Sequence, residues 1–124
     1  MLHMELFESA QDYLERILML EKKRGVGNVR AIDVANALHF SRASVSVAMH
    51  RLEDSGYITF GEDRELILTD EGRKIAMGVY ERHEVLTKFF TSIGVSSDVA
   101  EEDACKVEHD LSQETFNAIK KRFS

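Results

Sequence analysis

Between Arg30 and Phe60 the chain carries two short apolar stripes at helical spacing, separated only by His39-Phe40-Ser41. This arrangement constrains the fold more than any other feature. Ala31, Val34, Ala35 and Leu38 recur at i, i+3, i+4 and i+7, the pattern of a helix with one buried face. Ser41 offers a side-chain oxygen suited to an N-cap, and Val45, Ala48, Met49 and Leu52 form the inner side of a second helix that follows it. Two helices a tight turn apart make a helix-turn-helix. Gly56 stops the second helix. Residues 57–60 and 65–69 then have strand composition around Gly61-Glu62-Asp63-Arg64, which predicts a hairpin in the position of a wing.

The flanking segments read as helices. Leu6, Ala10, Tyr13, Leu14, Ile17 and Leu18 mark a first helix that ends at Gly25 and Gly27. Thr69 or Asp70 caps a long helix with Ile75, Val79, Leu86, Phe90 and Ile93 facing inward, His83 on the same stripe and Gly94 at its end. Ser97 or Asp98 caps the next, whose core line is Ala100, Ala104, Val107 and Leu111, and Ser112 caps a last helix bearing Phe116, Ile119 and Phe123. The expected architecture is mostly α with a small β-hairpin. A winged helix-turn-helix domain over residues 1–71 is expected to precede a second, helical domain over 72–124.

A net charge of −6 argues against nucleic acid as a partner, because phosphate binding relies on Lys and Arg. The distribution reverses that conclusion. Residues 22–51 hold Lys22, Lys23, Arg24, Arg30, Arg42 and Arg51 against the single acid Asp33, so this stretch is net +5 and the rest of the chain −11. Ser41, Arg42 and Ser44 lie at the N-terminal end of the recognition helix, which is the end that enters the major groove. Arg42 can donate two hydrogen bonds to guanine, while serine hydroxyls suit phosphate oxygens. Arg51, Arg64 at the wing tip and Arg30 on the same basic face complete the expected contacts to double-stranded operator DNA. Each of these, taken singly, also fits an ordinary solvated charge.

A second constellation carries coordination chemistry. Cys105, Glu108 and His109 stand at i, i+3 and i+4, so on a helix a thiol, a carboxylate and an imidazole share one face. Asp12 and Glu15 repeat the i, i+3 spacing on the first helix. A lone cysteine forms no internal disulfide and is a packing residue, a reactive thiol or a ligand. Asp12 and Glu15 alone would read as a solvated acidic face, and His83 alone as a satisfied core histidine. The joint pattern favours a divalent cation, because several such groups are costly to bury without a partner.

Helix-turn-helix, wing, a long helix with Arg82-His83-Glu84 and the run from Asp103 to Ser112 resemble the diphtheria-toxin-repressor family of metal-dependent repressors over nearly the whole chain. The most specific parts are Cys-x-x-Glu-His at 105–109 and Asp-Tyr-Leu-Glu at 12–15. The resemblance implies metal ligands at Asp12, Glu15, His83, Glu108 and His109. Cys105 stands where the manganese-responsive branch commonly has Glu and the iron-responsive branch has Cys. The iron branch, however, usually has Met at the place of Asp12. Its second site uses positions that hold Thr87 and Glu101 here. The implied activators are Mn(II) or Fe(II), with Zn(II) or Co(II) able to substitute in vitro.

The apolar positions of residues 97–123 exceed what a terminal arm needs and are assigned to a homodimer interface. Many family members continue into an SH3-like module, for which the residues to Ser124 leave no room, so the chain is expected to be either a naturally short form or a shortened piece. Without a long apolar run or a signal-peptide pattern, the expectation is a cytoplasmic protein with no membrane contact. Substrate-pocket residues are missing, so neither an enzyme nor a small organic substrate is expected. The competing readings are a metal-independent winged-helix regulator that senses a small molecule or the redox state of Cys105, a small metalloenzyme, and a metal buffer.

Overall fold

A computed structural model describes residues 8–123, with the order α1 (Glu8–Arg24), α2 (Ala31–Leu38), α3 (Arg42–Asp54), β1 (Ile58–Phe60), β2 (Leu66–Leu68), α4 (Asp70–Ser92), α5 (Ser97–Val107) and α6 (Gln113–Phe123). Leu6 lies outside the described residues. Two compact units emerge, one ending at Met77 and the other beginning at Gly78. Among the described residues no helix is long and apolar enough to cross a membrane.

The first unit is the helix-turn-helix and its wing. Leu14, Ile17, Val29, Val34, Val45, Met49, Ile58 and Leu66 are sealed from solvent, so the apolar stripes of α1, α2 and α3 converge on one core. Burial of this kind contributes roughly 1.5–3 kcal/mol for each large side chain. His39 closes α2 in the left-handed region at φ 61°, its N–H donating to the Ala35 carbonyl, and this reverses the chain into the turn. Ser41 then caps α3 by accepting the Ser44 N–H at 3.1 Å. At the entrance to α2, the Asp33 carboxylate accepts the Arg30 N–H at 2.9 Å and pairs with Arg24 at 2.7 Å. Partial burial pushes the Asp33 carboxyl up, but these two partners and nearby Arg30 outweigh it and hold it below the usual carboxylate range.

The wing is shorter than its sequence suggests. Ile58 pairs with Leu68, Thr59 with Ile67 and Phe60 with Leu66, antiparallel. The Thr69 N–H still donates to the Tyr57 carbonyl at 3.1 Å, but the ladder stops there, since the Tyr57 N–H donates back to Leu52 and closes α3 and the Thr69 hydroxyl accepts the Gly72 N–H and begins α4. The Thr69 hydroxyl also donates to the Gly56 carbonyl at 2.7 Å, fastening the end of α3 to the start of α4. Nearby, Arg73 grips the buried Glu21 carboxylate with two nitrogens at 2.8 and 3.3 Å.

In the second unit Val79, Val85, Leu86, Ala100, Ala104 and Phe116 form the core. The rings of Phe89 and Phe123 lie 5.1 Å apart, and Lys120 pairs with Glu81 at 2.7 Å. Three details differ from the sequence expectation. Ile93 is 63% exposed, because α4 stops at Ser92 and the reversal at Gly94 (φ 107°) takes it out of the stripe. Ser96 is the cap residue of α5 in place of Ser97 or Asp98. The helix ends at Val107, so Leu111 lies beyond it and is half-buried.

Gly72 gives the fold a test. A Cβ there would stand 1.9 Å from the Tyr57 carbonyl oxygen, which is backbone and cannot rotate away. Alanine in place of a helical glycine ordinarily stabilises. Here we expect Gly72→Ala to destabilise by about 1–3 kcal/mol, measured as a lowered urea midpoint.

Candidate metal centre and nucleic-acid face

The chemistry of the second unit gathers at the end of α5. Glu108 takes helical backbone angles (φ −56°, ψ −31°) as the C-cap residue, its N–H donating to Ala104, and its side chain turns into the interior with 1% exposure. Among the described residues neither of its carboxylate oxygens accepts a hydrogen bond. His83 of α4 brings Nδ1 to 3.3 Å from Oε1, and His109 brings Nε2 to 3.5 Å from Oε2. The Cys105 thiol, one turn earlier and exposed, has its Sγ within 4.8 Å of a Glu108 oxygen.

A carboxylate so buried costs several kcal/mol to desolvate unless positive charge answers it. Two imidazoles and a thiol, each with its donor atom within a few ångströms of a Glu108 oxygen, supply nitrogen and sulfur beside the carboxylate oxygens, the kinds of ligand a divalent cation takes. The residues therefore fit a metal. Cys105 and Glu108 bring their donor atoms to one side, as the i, i+3 spacing implies, although the first residue is exposed and the second buried, and α5 has ended before His109. In the first unit α1 carries Asp12, half-buried, and Glu15, which is 7% exposed.

The residue that sequence reasoning missed is Arg82. Its guanidinium donates to the Glu108 carbonyl at 2.8 Å, the Leu111 carbonyl at 2.9 Å and Gln113 Oε1 at 3.1 Å, and lies 4.9 Å from the centre of the Phe116 ring. The last carbonyls of a helix need donors from elsewhere, and Arg82 supplies one to the cap residue Glu108 while its bonds to Leu111 and Gln113 join the end of α5 to the start of α6. Its immediate neighbour His83 approaches the Glu108 carboxylate, so adjacent residues of α4 hold both ends of the same glutamate. The available signal was a cation beside His83 on a helix otherwise read only for its apolar stripe.

The DNA-facing residues lie in the first unit. Ser41, Arg42, Ser44 and Arg51 are all exposed on or just before α3. Ser41 is occupied as the cap, its hydroxyl also donating to Ser44 Oγ at 2.9 Å. Arg64 adopts φ 65° at the wing turn and places its guanidinium 5.2 Å from the Phe60 ring centre. Arg30 is exposed, and its Nε donates to the Asp63 carbonyl at 3.0 Å, tying the entrance of α2 to the wing turn.

A winged helix-turn-helix together with a buried carboxylate–imidazole cluster defines a metal-dependent DNA-binding regulator. Comparison with known proteins gives the family. Residues 5–66 match the iron-dependent repressor N-terminal DNA-binding domain, and residues 69–124 match the iron-dependent repressor metal-binding and dimerisation domain. The chain belongs to the iron-dependent repressor family. It is 38% identical over 114 residues to the transcriptional regulator MntR of Salmonella typhimurium, covering 90% of this chain and 70% of that protein. It is 37% identical over 111 residues to the HTH-type transcriptional regulator MntR of Geobacillus kaustophilus, covering 90% and 75%. Among solved structures, a manganese-dependent transcriptional repressor in complex with manganese superposes with a TM-score of 0.80 at 26% identity, over 93% of this chain and 52% of that one. The chain thus spans about half the length of such solved relatives. These relatives are transcriptional regulators, not enzymes.

Arg82 supplies the prediction. Arg82→Ala should destabilise the metal-free protein by about 2 kcal/mol, from the loss of charge-assisted hydrogen bonds to two carbonyls and an amide. Arg82→Lys should restore only part, since an ammonium lacks the planar fork. Urea unfolding measures both.

Proposed function

We propose that the protein represses transcription by binding operator DNA as a homodimer when loaded with a divalent metal, Mn(II) in the first instance. The observation that carries this reading is the buried Glu108 carboxylate, which accepts no hydrogen bond among the described residues and has an imidazole near each oxygen. Asp12, Glu15, His83, Cys105, Glu108 and His109 are the ligands in this reading. Five of the six offer oxygen or nitrogen, which suits Mn(II) and Fe(II), while Zn(II) and Co(II) would bind in vitro. The solved relative that carries manganese supports the choice of metal.

Functionally the chain divides at residues 71 and 72, between a DNA-reading part and a part that binds metal and dimerises. Arg42 contacts base edges at the N-terminal end of α3. Ser41, Ser44, Arg51, Arg64 and Arg30 serve the phosphate backbone. In a two-fold dimer the recognition helices must stand about 34 Å apart, or a multiple of this, to enter successive major grooves. Metal binding favours the dimer geometry that meets this spacing, so the metal and the DNA each tighten the other. The protein works in the cytoplasm, where its DNA lies, and takes no small organic substrate.

The test is fluorescence anisotropy on a duplex selected from a random pool by the Mn(II)-loaded protein. A chelator should weaken binding by about tenfold to a hundredfold, the range of a typical allosteric coupling. Unchanged affinity would refute the metal switch. Glu108→Ala should lose Mn(II) binding in direct titration, and undiminished binding would refute the ligand assignment.

A further inference from the structure

The recognition helix presents an apolar side chain that the core of the described residues leaves more than half exposed. Val47 is 55% exposed, whereas Val45, Met49 and Leu52 on the opposite side of α3 are buried. Ala43, Ser46, Val47 and His50 are spaced i, i+3, i+4 and i+7, and all four are exposed, so they form one continuous outward stripe. A branched valine on a solvated helix surface is a weaker helix former than alanine, and its two methyl groups gain nothing from this core. The stripe is bordered by Arg42 and Arg51, both exposed, and at its far end the His50 ring lies 5.2 Å from that of Phe60 in the wing, which leaves Ala43, Ser46 and Val47 as a partly apolar strip between two cations.

We infer that Val47 is a specificity-determining residue that reads the methyl group of a thymine in the major groove, with Ala43 one turn earlier widening the apolar contact. This rests on the proposed DNA-binding function and goes beyond it by naming a base and an atom. Thymine is the one base that presents a methyl group in that groove, and apolar side chains are its natural contacts. Valine suits the task because helical packing leaves it a single strongly preferred χ1 rotamer, so its methyls are held in place before DNA arrives. Guanine or cytosine at the same position would set a polar base edge against hydrocarbon and leave its hydrogen-bonding groups unmatched. Val47 also borders a half-open cleft of about 410 Å³ lined by Ser44, Ala48 and Arg51 among others. A role confined to that cleft would carry no preference for any one base pair.

The experiment replaces thymines of the selected duplex one at a time with deoxyuridine, which removes only the methyl group. It then measures the affinity of the Mn(II)-loaded parent, Val47→Ala and Val47→Thr. One thymine per half-site should weaken the parent by about fourfold when its methyl is removed, the worth of one buried methylene-sized group. Val47→Ala should bind the unmodified duplex more weakly and lose little more at that thymine, whereas Val47→Thr, which keeps one methyl, should retain part of the discrimination. If the duplex is bound but every deoxyuridine change affects parent and Val47→Ala alike, the inference is overturned while the repressor reading stands. If no duplex is selected at all, both fall. A general loosening of α3 by the substitution would weaken all duplexes equally and would also count against the inference.

Discussion

The structure of the metal-binding unit depends on one buried carboxyl group. Glu108 is turned into the core at the last turn of α5, where a glutamate costs more than any apolar residue of similar size unless charge of opposite sign meets it. The backbone secures that placement from outside, through Arg82 and the carbonyls of Glu108 and Leu111. His83 and His109 approach the carboxylate from either side. A fold that held Glu108 for stability alone would do better with leucine there. Its presence is a reason to look for a cation, and the imidazoles and thiol beside it give that cation a chemical character.

The DNA-binding unit rests on different physics. Its core is apolar, and its polar bonds serve geometry: the Ser41 cap, the Thr69 hydroxyl between Gly56 and Gly72, and Arg30 fastening the wing turn. These contacts fix where α3 points, and of its outward stripe only His50 leans on the wing, against Phe60. Basic side chains are placed around that stripe inside a chain that is acidic overall. Attraction to DNA is thereby local, and the acidity elsewhere opposes indiscriminate binding.

Much of this was legible in the residues. The helix-turn-helix followed from two stripes of period 3.6 and a capping serine, because local periodicity and local hydrogen bonding decide such elements. Ile93 was misread because a stripe does not announce where its helix stops, and α4 ends one residue before it. The wing came out shorter because the Tyr57 N–H and the Thr69 hydroxyl serve the neighbouring helices, leaving a single backbone bond between the two residues. The type and spacing of Cys105, Glu108 and His109 were visible, but their separation into an exposed thiol and a buried carboxylate was not. The role of Arg82 was not legible either, since two of its partners are carbonyls whose positions only the folded chain defines. The full ligand set, with Asp12 and Glu15, comes from the sequence resemblance and remains the proposal that metal titration tests.

The most direct measurement is thermal unfolding of the parent and of Glu108→Gln, each without metal and with saturating Mn(II). If the buried carboxylate is held for the ion, Glu108→Gln should be at least as stable as the parent in the absence of metal, because the uncompensated charge is gone, and should lose the rise in Tm that Mn(II) gives the parent. A Glu108→Gln protein that is markedly less stable without metal, yet gains as much from Mn(II) as the parent does, would contradict the account.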